Sequence, residues 1–467
     1  MSQQSAFYSI VWACLSSWYY GFHLSELNFP AASLTCLSPA IPPPSRLPLC
    51  LGLDTTLYGV VTAAFTVGGL VGSLGSSWVV QREGVRGGIA LTGWLNVLGV
   101  VCMALAPYWV VLALGRFIAG LSAGVAVCLV PPFLSLIART SPTLSNRSGQ
   151  VGTLHQMGIV IGLFSAQAAG LILTGKTGDI PGSWRNVVAI SGVISLLQIV
   201  AGRFIDGLEH EEKDADVESI AEISGRVESG LAVAPVDDSE ASPLLGPVDP
   251  SNSSQLPLRE LLSNTSLRTP TLLCAAILTL QQLSGVNAVM FYSTPVLRPL
   301  MPASAATIGL QITAVNALMT VVAIFLVDRM ERRSLLLVSV TGMTLTSALL
   351  AWGLDNGHNL LSASVIVLFI VFFAVGLGPI PFLLVSELVP QPAIPALASL
   401  SLSLAWISNF FIALLFLPLR DALSEPVDPH DPIGDRKGEG RVFYVFTAVC
   451  VVLGLLISRG LRGSREQ

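Results

Sequence analysis

QQLSGVNAVMFYS (281–293) sets three carboxamides, Gln281, Gln282 and Asn287, inside an apolar run that extends from about 269 to 298. Polar groups surrounded by apolar side chains must find a partner or a ligand, because burying them unpaired is costly. At about 100° per residue Gln281 and Gln282 are neighbours, and Asn287 lies five and six positions on, so all three can line one broad helix face. Each offers donors and acceptors without charge, which suits a neutral polyhydroxyl ligand better than an ion. The plainer alternative is that the amides hydrogen-bond helices to one another. Gly285, in their midst, lets another helix or a ligand approach closely.

Similar apolar runs recur along the whole chain. Of its 467 residues 52% are hydrophobic and only 11% charged, against about 25% charged in soluble domains. A span needs about 20 mostly apolar residues. Hydropathy predicts an all-α membrane protein with twelve transmembrane helices, near 7–29, 57–80, 88–106, 109–137, 151–174, 186–205, 269–298, 305–327, 334–354, 362–388, 394–417 and 440–459. The first run begins without a basic leader and continues into His23 and Glu26, so it reads as a span and not as a cleaved signal.

Between the sixth and seventh spans lies 206–268, rich in Asp, Glu, Ser and Pro, a composition that reads mostly as flexible linker. The predicted organisation is therefore an N-terminal bundle (1–205), a linker (206–268) and a C-terminal bundle (269–467). The net charge of -5 reflects this linker, which with Glu260 included carries 14 of the 29 acidic residues. Lysine is scarce and no basic run interleaved with aromatics occurs, so nucleic acid is not a predicted partner. Counting Lys and Arg in the loops places both termini, and the linker, on the cytoplasmic side. Five cysteines sit in apolar runs, while Cys36 and Cys50 share an outer hydrophilic loop. On an oxidising face that pair is either a disulfide or two free thiols.

The two halves echo each other. QREGVRG (81–87) follows the second span and DRMERRS (328–334) the eighth; PPFLSL (131–136) ends the fourth and PFLLVSE (381–387) the tenth. Two pseudo-symmetric six-helix bundles related by a near-constant offset are a transporter architecture, with a substrate site between them near the membrane midplane. No nucleotide loop, metal cluster or supported nucleophile motif appears, so neither catalysis nor a cofactor is expected.

At these motifs the chain resembles the sugar porter family of the major facilitator superfamily, which includes facilitative glucose transporters and fungal sugar permeases. QQLSGVNAVMFYS is similar to that family's seventh-helix motif. GRFIAG (115–120), VGTLHQMGIVIGLFSAQ (151–167), AVNALMTVVAIFLVDRMERR (314–333) and GPIPFLLVSELVP (378–390) resemble its fourth, fifth, eighth and tenth helices. The resemblance implies the major facilitator fold and transport of a neutral monosaccharide or polyol by alternating access. It places Gln156, Gln281, Gln282, Asn287 and Asn316 around a pyranose, with Phe382 and Trp406 as aromatic walls and Tyr292 at an outer gate. Closure of the inward gate would rest on Arg82, Arg116, Arg147, Asp328, Arg329, Arg332, Arg333 and Glu387.

The departures from that family are specific. Leu136 and Ile394 replace a gate acid and a gate arginine, and Ala374 and Ala405 replace polar residues near the sugar. Where proton-coupled members carry an aspartate this chain has His23, with Glu26 three residues on along the same helix face. The replacement favours facilitated diffusion. The alternatives are proton symport through His23 and Glu26, or a sugar sensor that no longer cycles. EASPLL (240–245) has the acidic dileucine form, Glu240 with Leu244 and Leu245, which a sorting adaptor would read on the way from the plasma membrane to a vacuolar or endosomal one.

Overall fold

The computed structural model describes residues 3–36, 47–141, 144, 148–203, 258–297, 305–327, 329–390, 393–425 and 438–461. The N-terminal half comprises α1 (Gln3–Ser25), the one-turn α2 (Ala31–Leu34), α3 (Thr55–Ala104), α4 (Trp109–Thr140), α5 (Ser148–Thr174) and α6 (Trp184–Gly202). The C-terminal half comprises α7 (Leu258–Ser263), α8 (Thr265–Leu283), α9 (Val286–Leu297), α10 (Ala305–Val327), α11 (Arg332–Asp355), α12 (Asn359–Phe372), α13 (Ile380–Glu387), α14 (Ile394–Leu423) and α15 (Arg441–Gly460). Eleven helical segments are long and apolar enough to cross a membrane. The 23 residues of α1, about 35 Å at 1.5 Å per residue, make the twelfth pass.

The backbone departs from regular α-geometry at three places. The second and third spans are two separate helices within α3 that meet at Gly84, whose φ of 69° lies in the left-handed region; glycine adopts it without a Cβ penalty. The seventh breaks into α8 and α9 at Gly285, which has φ 95°. A Cβ there would meet the Phe446 ring at 2.5 Å, so the break packs against α15 only because residue 285 has no side chain. The tenth leaves α-geometry in a single π turn, Phe373–Leu377, before α13. Pro379 and Pro381 lack the N–H groups that a continuous ladder would use. Of the expected linker, 204–257 lies outside the described residues, α7 occupies 258–263, and α8 begins at Thr265, four residues before the expected 269.

Helices within each half approach closely through small residues. At Gly120 a Cβ would lie 2.1 Å from the Phe65 carbonyl oxygen, so α4 and α3 are in backbone contact, as small residues permit between membrane helices. The halves meet chiefly where α3 packs on α14 and α5 on α10. Cys36 and Cys50 form a disulfide, resolving the two readings of that pair. The chain after it is anchored to α6: Trp184 Nε1 donates to the Leu49 carbonyl at 3.1 Å and Arg185 to the Pro48 carbonyl at 2.8 Å.

Candidate functional site

The seventh-span amides meet where helices break. Gln281, at the end of α8, donates to the Leu377 carbonyl in the π turn at 2.5 Å. That carbonyl is available because the π turn interrupts the regular ladder. Asn287, just past Gly285, donates to Gln282 Oε1 at 2.6 Å and to Asn409 Oδ1 on α14. Gln281, Gln282, Asn287 and Asn409 thus form one chain of carboxamides tying α8, α9 and α14 together. Asn316 on α10 is 2% exposed, Gln156 on α5 is half-buried, and neither side-chain amide makes a hydrogen bond among the described residues. Their donors and acceptors are uncommitted.

The two aromatic residues differ. Phe382 is 39% exposed on α13, whereas Trp406 is buried on α14. Trp406 donates its indole N–H to Ser73 Oγ at 2.8 Å and lies 5.7 Å from the Tyr20 ring and 6.2 Å from the Phe65 ring. One face of its indole is therefore held against the N-terminal half.

Next to Phe65 sits a buried charge cluster. Arg116 Nη1 donates to the His23 carbonyl at 2.6 Å and to Glu26 Oε1 at 2.8 Å, and its guanidinium lies 4.6 Å from the Phe65 ring centroid. Glu26 is fully buried, and its second oxygen, Oε2, has no hydrogen-bond partner. Arg116 was expected at the inward gate. It sits instead in the second turn of α4, which begins at Trp109 on the side of the disulfide loop, and so it reaches the turn that follows α1.

Hydrogen bonding fixes where His23 carries its first proton. Asn96 Nδ2 faces two acceptors, Ser195 Oγ at 2.6 Å and the Ser191 carbonyl at 3.4 Å, while the Ser195 hydroxyl proton is used on that same carbonyl at 2.9 Å. Asn96 Oδ1 must then be the atom 2.6 Å from His23 Nε2, which donates to it. His23 Nδ1 lies 2.8 Å from Glu26 Oε1 and makes no hydrogen bond. In a neutral ring protonated on Nε2, Nδ1 presents a lone pair to the carboxylate oxygen, which is repulsive.

The two ends of the molecule are closed differently. On the disulfide side Asn28 donates to the Met290 carbonyl at 3.1 Å and Ser293 Oγ at 2.8 Å and accepts from Thr294 N at 3.0 Å, joining the halves. Tyr292 donates to the Ala413 carbonyl, stacks on Phe416 at 5.5 Å and meets Tyr58 of the N-terminal half at 5.9 Å. On the other side Arg82 covers the Trp78 ring at 4.3 Å, Arg332 donates to the Val327 carbonyl, Arg333 donates to the Ser458 carbonyl at 3.3 Å, and Arg329 is exposed. Each of these contacts of Arg82, Arg332 and Arg333 lies within one half. Arg147 and Asp328 lie outside the described residues, as does the side chain of Glu387.

This arrangement coincides with known proteins over nearly its whole length. Residues 9–461 match the family described as sugar (and other) transporter. The chain belongs to the sugar transporter family. It is 31% identical over 432 residues to facilitated glucose transporter member 3 of Pongo abelii, covering 88% of this chain and 82% of that relative. A probable metabolite transport protein of Saccharomyces cerevisiae is 28% identical over 465 residues, covering 95% and 90%. Among solved structures, a D-xylose–proton symporter superposes with TM-score 0.72 at 19% identity, covering 97% of both chains. The E. coli xylose transporter in an inward open conformation gives 0.70 at 16%, covering 98% of both. This member of the family has the twelve-helix major facilitator fold in two bundles. It is a multi-pass membrane protein that moves a small polar solute by alternating access, and not an enzyme.

Proposed function

We propose that this transporter carries a neutral monosaccharide or polyol together with a proton. The substrate would lie against Gln281, Gln282 and Asn287, with the uncommitted amides of Gln156 and Asn316 completing its hydrogen bonds and Trp406 contributing the ring edge left free by its contacts with α1 and α3. Residues 1–205 and 269–467 would be the rocking bodies. Charge-free amides pair with sugar hydroxyls without selecting an ion, which supports a neutral substrate.

The observation that carries the coupling is the position of His23 Nδ1, 2.8 Å from Glu26 Oε1 with the ring's other nitrogen already donating to Asn96. A proton bound there would reduce the attraction between Glu26 and Arg116 and return when the cavity faces the other side. The sequence favours facilitated diffusion because His23 replaces an aspartate. The fully buried Glu26 three residues on supplies the carboxylate that this argument lacks. The residence we favour is the plasma membrane or a vacuolar or endosomal one, with Glu240, Leu244 and Leu245 read by a sorting adaptor; these three residues lie outside the described residues.

Purified protein in sealed liposomes tests the reading. An imposed inward pH gradient should drive labelled hexose or polyol above equilibrium, and a protonophore should abolish the accumulation. Glu26→Gln should keep exchange and lose accumulation. Downhill flux alone in the wild type would select facilitated diffusion, and ligand-induced stabilisation with no flux would select a sensor.

A further inference from the structure

At the disulfide end, three oxygens from both halves converge beside the backbone of α10. A Cβ on Gly309 would meet Thr294 Oγ1 at 3.3 Å, Ser293 Oγ at 3.4 Å and Gln167 Oε1 at 3.5 Å, and these are its three nearest atoms. Gln167 belongs to α5 of the N-terminal half, while Ser293 and Thr294 belong to α9 of the C-terminal half. Both Gln167 and Thr294 are at least 98% buried, and neither Gln167 Oε1 nor Thr294 Oγ1 has a hydrogen-bond partner. Orphaned buried polar atoms are rare because each carries a full desolvation cost.

We propose that Gly309, Gln167, Ser293 and Thr294 form a binding site for one water molecule that bridges the two halves and stabilises closure of the disulfide end. The chemistry selects the occupant. Gln167 Nε2 donates to Ser25 Oγ at 2.7 Å. Whichever way its carboxamide is turned, one polar end faces the site; a molecule that both donates and accepts satisfies either orientation, and Thr294 as well. Three polar neighbours lie within the two to four that hold a buried water. Three neutral oxygens without a carboxylate are a poor cage for a cation, which requires more oxygen ligands and usually negative ones. Glycine at 309 keeps a methyl group out of the site. The site lies two turns of α9 beyond Asn287, about 10 Å at 1.5 Å per residue, so a monosaccharide held by Gln282 and Asn287 does not reach it.

Hydrogen exchange of the full chain in lipid nanodiscs, without sugar, tests the assignment. Gly309→Ala leaves contacts of 3.3–3.5 Å, which the helix can accept, but puts a methyl group against Gln167 and Thr294. Exchange over 286–297 should then accelerate about tenfold, the scale for one buried polar group left unpaired. Gly309→Ser supplies a hydroxyl at the same place and should return the rate to within about twofold of the wild type, on the same hydrogen-bond scale. Thr294→Val, which alters no α10 contact by added bulk, should accelerate exchange as Gly309→Ala does. Equal acceleration by Ala and Ser would mean that crowding, not polar satisfaction, is responsible, and would overturn the site. Wild-type behaviour of Gly309→Ala would overturn it as well. A difference that appears only with sugar present would assign the position to a substrate hydroxyl, and one that depends on sodium to a cation, each against the water.

Discussion

The disulfide end and the end carrying the termini are built from different chemistry. At the first, the halves are joined by neutral groups: the Asn28 carboxamide reaches three partners on α9, and Tyr292 is enclosed by Tyr58 and Phe416. At the second, Arg332 and Arg333 end on carbonyls of their own half. Among the described residues, the side-chain bonds that join the halves lie at the disulfide end and at Trp406, whose indole donates to Ser73. A transporter that closes one end with neutral, direction-specific bonds can release them without moving charge through the bilayer. Charge is kept for Glu26, Arg116 and His23, within the N-terminal half.

Breaking the buried pair should have the largest effect on this contrast. Arg116→Ala leaves Glu26 buried opposite no cation and should cost about 3–5 kcal/mol, read as loss of folded protein on detergent size-exclusion chromatography. The double variant with Glu26→Gln should recover much of it. Removing the Asn28 latch is next: Asn28→Ala deletes three cross-half hydrogen bonds and should disfavour the closed disulfide end by about 2–4 kcal/mol. A cysteine placed at Thr62, buried on α3 one turn beyond Tyr58, should then react faster with an impermeant maleimide from that side; an unchanged rate would mean that the aromatic cluster alone holds the closure.

Substrate affinity should be more modestly affected. Gln282→Ala and Asn287→Ala should each weaken sugar binding by about 1–3 kcal/mol with little change in abundance, measured by counterflow. Unchanged affinity in both would assign the Gln281–Gln282–Asn287–Asn409 chain to helix cohesion. The smallest effects belong to the termini end, where Arg82→Ala and Arg333→Ala should alter thermal stability by no more than about 0.5 kcal/mol. If either did more, the arginines would already cross the interface in the conformation that melts.

Much of the fold is legible in the sequence because a bilayer demands long apolar runs, and twelve are visible. Their interruptions are not, since hydropathy averages over a Gly285 or a Pro379 that redirects the backbone. The amides at 281, 282 and 287 stand out because they are three in seven residues. Asn96 and Asn409 do not, because each is a lone amide whose partner is 73 or 122 positions away. Arg116 was assigned to the wrong end by its motif. Its depth in α4, seven residues from Trp109, was the better signal, as an arginine that far inside a span requires an acid within reach and Glu26 was the acid available.

The polarity of α1 bears on how the chain is made. It is not among the eleven segments apolar enough to span by composition, and Ser9, Ser16, Ser17, Tyr19 and His23 are all buried against its neighbours. Tyr19 bonds Thr92 of α3, while Trp12 and Gln198 of α6 bond each other's backbone. A ribosome adding about 5–20 residues per second needs roughly 10–35 s to pass from the end of α1 to the end of α6. Through that interval Trp12 lacks its partner Gln198, so the polar contacts of the first helix are completed only by the last helix of the N-terminal bundle.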